Sequence, residues 1–136
     1  MLVRGFGSVL IFASVLVSRS VLSLAQAPPT PAAPAIYTEE QATRGAEVFS
    51  SVCMDCHARK DFSDEEFKGK WRGRTAFDLF DRIRSTMPES SPGSLERASY
   101  LDVTAYMMQL NGLAAGTTPL PEDEASLRKQ LLTFAK

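Results

Sequence analysis

The residues best suited to chemistry are two cysteines and a histidine that lie within five positions, in the run Cys53-Met54-Asp55-Cys56-His57. The chain of 136 residues contains no other cysteine and no other histidine. Thiols and imidazoles bind metals, exchange electrons as dithiol–disulfide pairs and form covalent bonds. Four interpretations of this run are therefore open: a structural zinc site, a redox-active dithiol, a structural disulfide and a covalent haem-attachment site.

The rest of the chain favours the last interpretation. A structural zinc site takes about four ligands, and the chain offers three cysteine and histidine side chains in total. A thioredoxin-like pair belongs in a βαβ setting, whereas the surrounding pattern is helical. A disulfide between Cys53 and Cys56 remains an alternative for an exported protein. The spacing C-x-x-C-H, by contrast, is the attachment signature of c-type haem.

This spacing has a physical reason. Two thiols three positions apart at the end of a helix can reach the two vinyl groups of one haem, and the adjacent imidazole then faces the iron. Thioether bonds hold the cofactor permanently, which suits a small domain with a modest core. The run predicts one haem c, attached through Cys53 and Cys56, with its iron bound by His57.

The second iron ligand is predicted to be Met87. A second histidine ligand from this chain is excluded, and a thioether sulfur is a usual partner of histidine in cytochromes c. Met107 and Met108 lie in a strongly apolar segment, where core packing is the expected role. Met87 lies thirty positions beyond His57 and is followed by Pro88, so a loop of restricted shape can present it to the iron.

The N-terminal segment predicts export. Arg4 precedes an apolar run over residues 6–17 and small residues follow, which is the order of a signal peptide. We expect a signal peptide over residues 1–27, a Pro/Ala linker over 28–35 and a cytochrome c domain over 36–136. The expected location is the periplasm, without stable membrane insertion after cleavage, because a membrane span takes about 20 apolar residues. An uncleaved N-terminal membrane anchor is the alternative.

Charge argues against nucleic acid as a partner. The chain carries a net charge of −1, and without residues 1–27 it keeps thirteen basic and sixteen acidic side chains, a net charge of −3. Nucleic-acid-binding domains usually show a basic patch or stripe. We therefore expect no nucleic-acid partner.

The elements that must position these residues are predicted to be helices. Thr38 caps a helix from about Glu39 that runs toward the cysteines, and Thr75 caps one over residues 76–85. Residues 61–70 are expected to form an irregular loop, and residues 86–94 a constrained one. Ser94 is expected to cap the longest helix, over residues 95–110, which ends at Asn111-Gly112. A last helix is predicted at about residues 122–134, which makes an all-α fold of about four to five helices.

The chain resembles class I c-type cytochromes over nearly all of residues 39–116. The resemblance rests on Gly45 and Phe49 in the first helix, on C-M-D-C-H, on T-M-P around Met87, and on Tyr106 in the last part of the long helix. It implies a small cytochrome c fold around one haem, with Met87 as the distal ligand. It also implies that Gly45 lets the first and the longest helices approach closely.

A narrower resemblance concerns the partners. The runs M-P-E-S-S-P-G-S-L and Y-L-D-V-T-A-Y are similar to those of small cytochromes and haem domains that accept electrons from periplasmic quinoprotein dehydrogenases. It implies a dehydrogenase as donor, with a cytochrome or oxidase as acceptor. An iron bound by both His57 and Met87 has no open position for a substrate, so we expect a one-electron carrier rather than an enzyme, acting alone or as a subunit of an oxidoreductase complex. The alternative function is a haem-binding subunit, sensor or peroxidase-like protein with an open iron position.

Other side chains are weaker candidates for contact with the haem. Trp71, Arg72 and Arg74 can donate hydrogen bonds to haem propionates, although a solvated basic loop explains them equally well. Six apolar residues are candidate pocket walls and equally good core residues: Phe77, Phe80, Ile83, Leu95, Leu101 and Tyr106.

Overall fold

Five α-helices form the fold of the described part of the chain. The structure, a computed structural model, describes residues 35–134; the predicted signal peptide and all but the last residue of the predicted linker lie outside this range. The helices are α1 (Glu39–Val48), α2 (Glu65–Trp71), α3 (Ala76–Thr86), α4 (Arg97–Leu110) and α5 (Glu124–Leu127). Between residues 35 and 134 the only β-type pairing consists of two isolated bridges. The predicted all-α fold is confirmed.

Helix α1 begins where its cap predicts. The Thr38 side chain accepts the backbone N–H of Gln41 at 3.2 Å, and Glu39 and Glu40 place negative charge in the first turn. The Gln41 side chain does not complete a capping box. Its oxygen instead accepts the backbone N–H of Leu120 at 2.8 Å, which fastens the C-terminal loop to α1.

Helices α1 and α4 cross at Gly45, as the resemblance implied. A Cβ at this position would lie 1.9 Å from the backbone oxygen of Asp102 and 2.9 Å from the Cβ of Tyr106. Beside the crossing, Arg44 forms a bidentate ion pair with the Asp102 carboxylate at 2.8 and 2.9 Å. The absence of a side chain at Gly45 therefore allows the two backbones to touch.

Helix α4 is the centre of the core. Its residues 100–108 are all buried, including the predicted core residues Met107 and Met108. A helix that is buried on every side must be covered by several elements, and here α1 and α3 supply most of the cover. Loops attached to α4 are therefore held against the buried core.

Helix α3 follows the prediction closely. Thr75 accepts the backbone N–H of Asp78 at 3.1 Å, and the Asp78 carboxylate accepts that of Thr75 at 2.9 Å, which makes a complete capping box. The helix ends at Thr86, so Met87 follows immediately. The length of α3 thus fixes where the predicted iron ligand begins.

The prediction of an irregular loop over residues 61–70 is wrong. Most of it forms α2, which Asp64 caps by accepting the backbone N–H of Phe67 at 2.8 Å. Phe67 and Trp71, one helical turn apart, are both buried on one face. A short 3₁₀ turn over Arg59–Phe62 precedes this helix.

Two helix boundaries also differ from the prediction. Helix α4 begins at Arg97 rather than Leu95, and its N-cap residue is Glu96, not Ser94. The helix predicted over residues 122–134 is shorter than expected and is confined to α5. In the segment that follows, Leu132 and Phe134 are buried while Leu131 is 52% exposed. This alternation has the period of an extended segment.

The extended segment pairs with the chain that precedes α3. Leu132 exchanges backbone hydrogen bonds with the loop, accepting from Gly73 at 2.9 Å and donating to Arg74 at 2.8 Å. The backbone N–H of Ala76 also donates to the oxygen of Gln130 at 2.7 Å. These bonds replace those of the predicted helix and secure the start of α3.

Within residues 35–134, no helix has both the length and the apolar character needed to cross a membrane.

Candidate functional site

The cysteines lie at the end of α1, where the helix changes its winding. One π-helical turn, Phe49–Cys53, continues α1, and the backbone N–H of Met54 donates to the oxygen of Phe49 at 3.0 Å. The backbone N–H groups of Cys56 and His57 then both donate to the oxygen of Cys53, at 3.2 and 3.0 Å. The run is therefore one compact turn. Such π turns are frequent at functional sites.

Both thiols are free and accessible to a reaction partner. Cys56 is exposed and Cys53 is half-buried, and burial raises the pKa of the Cys53 thiol. Among residues 35–134, no group of three or more histidine, cysteine, aspartate and glutamate side chains is placed to hold a metal ion. The two thiols of this turn are therefore separate in the structure.

The His57 ring rests on an aromatic chain. It is half-buried and meets the Phe62 ring edge-on, with centroids 5.1 Å apart and planes at 73°. The Phe62 ring also packs against Phe49 at 5.5 Å and Phe67 at 5.9 Å. Phe49 in turn contacts Tyr106 of α4 at 5.4 Å. These contacts connect the imidazole to the core.

Met87 is held by its backbone on two sides. Its N–H donates to the oxygen of Ile83 at 2.8 Å, which ends α3. Its carbonyl oxygen accepts the Tyr100 hydroxyl at 2.8 Å and the backbone N–H of Gly93 at 3.3 Å. The same hydroxyl accepts the backbone N–H of Leu95 at 3.3 Å. Tyr100 therefore fastens both ends of the loop that presents Met87.

Helix α4 supports both predicted iron ligands. Tyr100, near its beginning, holds the Met87 loop, and Asn111, just after its end, donates to the backbone oxygen of Phe62 at 2.7 Å. Phe62 is the residue on which the His57 ring rests. The four predicted site residues thus lie on segments secured to one buried framework, while iron ligation by His57 and Met87 stays a prediction.

The candidate pocket walls divide into two groups. Phe80, Leu101 and Tyr106 are buried in the core, with exposed fractions of 0%, 2% and 6%. The other three pack against the core but remain partly open to solvent: Phe77, Ile83 and Leu95.

The candidate propionate donors have other partners. The Trp71 ring is buried, and the Arg74 guanidinium stacks on it at 5.0 Å. Arg74 also lies 3.9 Å from the Asp78 carboxylate, and Arg72 donates from Nε to the backbone oxygen of Phe134 at 3.1 Å. Packing and hydrogen bonds to the protein itself therefore explain the positions of these three side chains. Their binding to haem propionates stays a prediction.

The donor set fits a covalently bound haem. Two free thiols lie one turn apart with an imidazole beside them, and a thioether occupies a fixed loop. Apolar side chains with partly open surfaces accompany them, among them Phe62, Ile83 and Leu95. A large flat apolar group would cover such surfaces, and nitrogen and thioether sulfur are ligands that haem iron accepts.

Three supporting residues were not predicted from the sequence. Phe62 and Tyr100 were not singled out, and Asn111 was interpreted as a helix stop. A signal existed for Tyr100, since a hydroxyl within an apolar helix needs a hydrogen-bond partner. Asn111 does follow the last residue of α4, but nothing local indicates that its amide reaches Phe62.

A protein-family model matches part of the chain. A family model described as "Cytochrome C oxidase, cbb3-type, subunit III" matches residues 40–107, which is half of the chain. The matched range contains Cys53, Cys56, His57 and Met87, and it ends within α4, before Asn111. No curated protein and no solved structure matches the chain at a significant level.

Proposed function

Since the chain belongs to the family described as cytochrome c oxidase, cbb3-type, subunit III, it is a c-type cytochrome that serves haem-based electron transfer, and we propose that it carries single electrons on one haem c. Cys53 and Cys56 would hold this haem through thioether bonds, and His57 and Met87 would bind its iron. When bound, the haem supplies reversible one-electron oxidation and reduction.

The observation that carries this proposal is the anchoring of Met87. The Tyr100 hydroxyl and the Gly93 N–H both bind the Met87 carbonyl, and the end of α3 holds its N–H. A ligand fixed in this way would leave the iron of a bound haem without an open position for substrates. A closed position supports a carrier over the alternative of a sensor or peroxidase-like protein.

The remaining residues supply an environment rather than a reaction. The buried helix α4 holds the loops of both proposed ligands, and it would keep them in place when the charge at a bound iron changes. The partly open apolar side chains around the site would exclude water from a bound haem, and apolar burial is one of the means by which proteins set a reduction potential.

The location and the partners are proposed from the sequence. The expected signal peptide supports a periplasmic carrier, with an N-terminal anchor as the alternative. The donor is proposed to be a dehydrogenase, of the quinoprotein class on the narrower resemblance. The acceptor is proposed to be a cytochrome or an oxidase. Electron-transfer complexes are usually small and transient, which fits a chain that exchanges partners.

A redox titration of the haem-loaded chain tests the proposal. One haem per chain should titrate reversibly as a single one-electron couple, and the reduced protein should bind carbon monoxide poorly, because Met87 occupies the position that the gas needs. Rapid, stoichiometric binding of carbon monoxide, or turnover of hydrogen peroxide, would instead support an open iron position.

A further inference from the structure

We propose that Asn111 is a positioning residue for His57 and that it acts through Phe62. The inference rests on the proposed function, in which His57 binds the haem iron. Asn111 lies outside the range that the family model matches and beyond the end of α4. It joins segments that are 49 positions apart in the chain.

The Asn111 amide is fixed by two short hydrogen bonds. Its Nδ2 donates to the backbone oxygen of Phe62 at 2.7 Å and to that of Met107, in the last turn of α4, also at 2.7 Å. Two carbonyl acceptors on one side define which amide atom is nitrogen. The residue is 6% exposed, so water competes little for these bonds.

The amide oxygen of Asn111 indicates why this position holds an asparagine rather than an apolar residue. Oδ1 is buried and has no hydrogen-bond partner among the described residues, and it is the only buried side-chain polar atom there in that state. A buried acceptor without a donor costs free energy, which an apolar side chain of similar size would avoid. What distinguishes asparagine from such a side chain is the pair of bonds from Nδ2.

Phe62 transmits this restraint to the imidazole. Its ring meets His57 edge-on at 5.1 Å, while Phe49 and Phe67 pack against it at 5.5 and 5.9 Å. A ring held by three neighbours cannot shift alone. Asn111 fixes the backbone of the same residue, so the position of the whole Phe62 side chain is determined.

The chain between His57 and Phe62 is too short and too well bonded to absorb a displacement. The Asp61 carboxylate accepts the backbone N–H of Ala58 at 2.8 Å, and the N–H of Asp61 returns to the oxygen of Ala58 at 3.0 Å. A movement of Phe62 therefore moves the turn that follows the iron ligand. The orientation of a ligating imidazole tunes the metal that it binds.

The experiment uses the haem-loaded full chain and four variants. Asn111→Ala removes both hydrogen bonds, Phe62→Leu removes the ring and keeps an apolar side chain, and a double variant combines them. Gln41→Ala is the matched control, because Gln41 is also a buried amide (4% exposed) that fastens a loop, but its loop begins near Leu120. The readouts are the NMR shifts of the His57 ring protons in the oxidised protein and the midpoint potential.

The proposal predicts coupled effects. Asn111→Ala and Phe62→Leu should each shift the His57 ring protons and the midpoint potential, and the double variant should add little to Phe62→Leu, since both act on one contact. Gln41→Ala should lower stability to a similar extent and leave both readouts unchanged. Should Asn111→Ala fail to fold, Phe62→Leu alone must still shift the His57 signals.

Three outcomes would overturn it. If Asn111→Ala leaves the His57 signals at their wild-type positions, or changes them no more than Gln41→Ala does, the amide is merely structural. If the shifts of the two single variants add fully in the double variant, Asn111 affects His57 independently of Phe62. If the wild type itself shows no iron-shifted His57 signals, the proposed function fails, and this inference fails with it. A failure of the inference alone would appear only in the variants, with normal His57 signals in the wild type.

Discussion

Gly45 of α1 lies in direct contact with the backbone of Asp102 in α4, so close that a Cβ on Gly45 would stand 1.9 Å from the Asp102 oxygen and 2.4 Å from its carbonyl carbon. The neighbouring atom belongs to a buried helix backbone and not to the end of a flexible side chain, so it cannot move aside. This contact sets the distance between the helix that leads to the cysteines and the helix that secures both ligand loops.

Gly45→Ala is expected to destabilise the protein. Alanine is the better helix former by about 1 kcal/mol, but the overpacking of a tight contact typically costs about 1–3 kcal/mol, and a backbone obstacle favours the upper end. We expect a net loss of about 1–2 kcal/mol in the free energy of unfolding, measured by urea denaturation.

Gly69→Ala is the matched control, because Gly69 also lies within a helix and a Cβ there would meet no atom within 4 Å. It should stabilise the protein by about 0.5–1 kcal/mol through helix propensity alone. Equal effects of the two substitutions would show that the α1–α4 contact is looser than described.

Met87→Ala should open the second axial position. The far-red absorption band of the oxidised protein should disappear and the midpoint potential should fall, because thioether ligation raises the potential. Met108→Leu is the control, since Met108 is 0% exposed in the core. It should keep the spectrum and cost less than about 1.5 kcal/mol of stability. A Met87→Ala protein with an unchanged spectrum would rule out Met87 as the ligand.

Tyr100→Phe should loosen the Met87 loop without removing the ligand. The hydroxyl bonds to the Met87 oxygen and the Leu95 N–H are lost, and the first of them, which holds Met87 itself, contributes about 1 kcal/mol. That is about a fivefold change in the equilibrium of loop opening. Added imidazole, which competes with Met87, should therefore bind about fivefold more tightly in a spectroscopic titration.

The control for Tyr100→Phe is Thr104→Val. It removes another buried hydroxyl of α4, which donates to the Tyr100 backbone oxygen at 2.8 Å. This variant should lose stability and keep the wild-type affinity for imidazole. If the affinity rises equally in both variants, general loosening of α4 rather than the Tyr100 hydroxyl controls the loop.

The charge of Asp78 should make the free energy of unfolding depend on pH. The backbone N–H of Thr75 holds the pKa of the Asp78 carboxyl below its usual value of 3.8, so the carboxylate stabilises the folded state above about pH 4 and loses this effect as the pH falls further. Asp78→Asn should cost about 0.3–1 kcal/mol at neutral pH. In urea denaturation, its difference from the wild type should shrink toward pH 3.

Asp81→Asn is the control for that series. Asp81 lies in the same helix and forms an exposed ion pair with Arg84 at 3.4 Å, so its removal should cost little at any pH. A stability difference for Asp78→Asn that stays constant from neutral pH to pH 3 would contradict the assigned role of the carboxylate.

Local signals account for the parts of the fold that were predicted correctly. Thr38 and Thr75 cap α1 and α3 by bonds to residues three positions on, so their evidence lies within one turn of the chain. Helix α2 was missed because only Phe67 and Trp71 mark its buried face, too few to establish a helical period.

Contacts between distant segments account for what was not predicted. The chain around Leu132 is extended because it pairs with residues 73–76, and a local pattern does not reveal a partner so far away. The same holds for the site. The run from Cys53 to His57 is evident from spacing alone, whereas the support of His57 by Asn111 depends on a contact across 49 positions.

The central claim is a covalent haem with His57 and Met87 as iron ligands, and absorption spectra of the exported protein, oxidised and then reduced, test it most directly. The protein should be made in a host that attaches haem, and the colour should remain with the chain after denaturation. The account predicts sharp c-type bands on reduction and a weak far-red band on oxidation. A colourless chain, or haem that separates on denaturation, would contradict it.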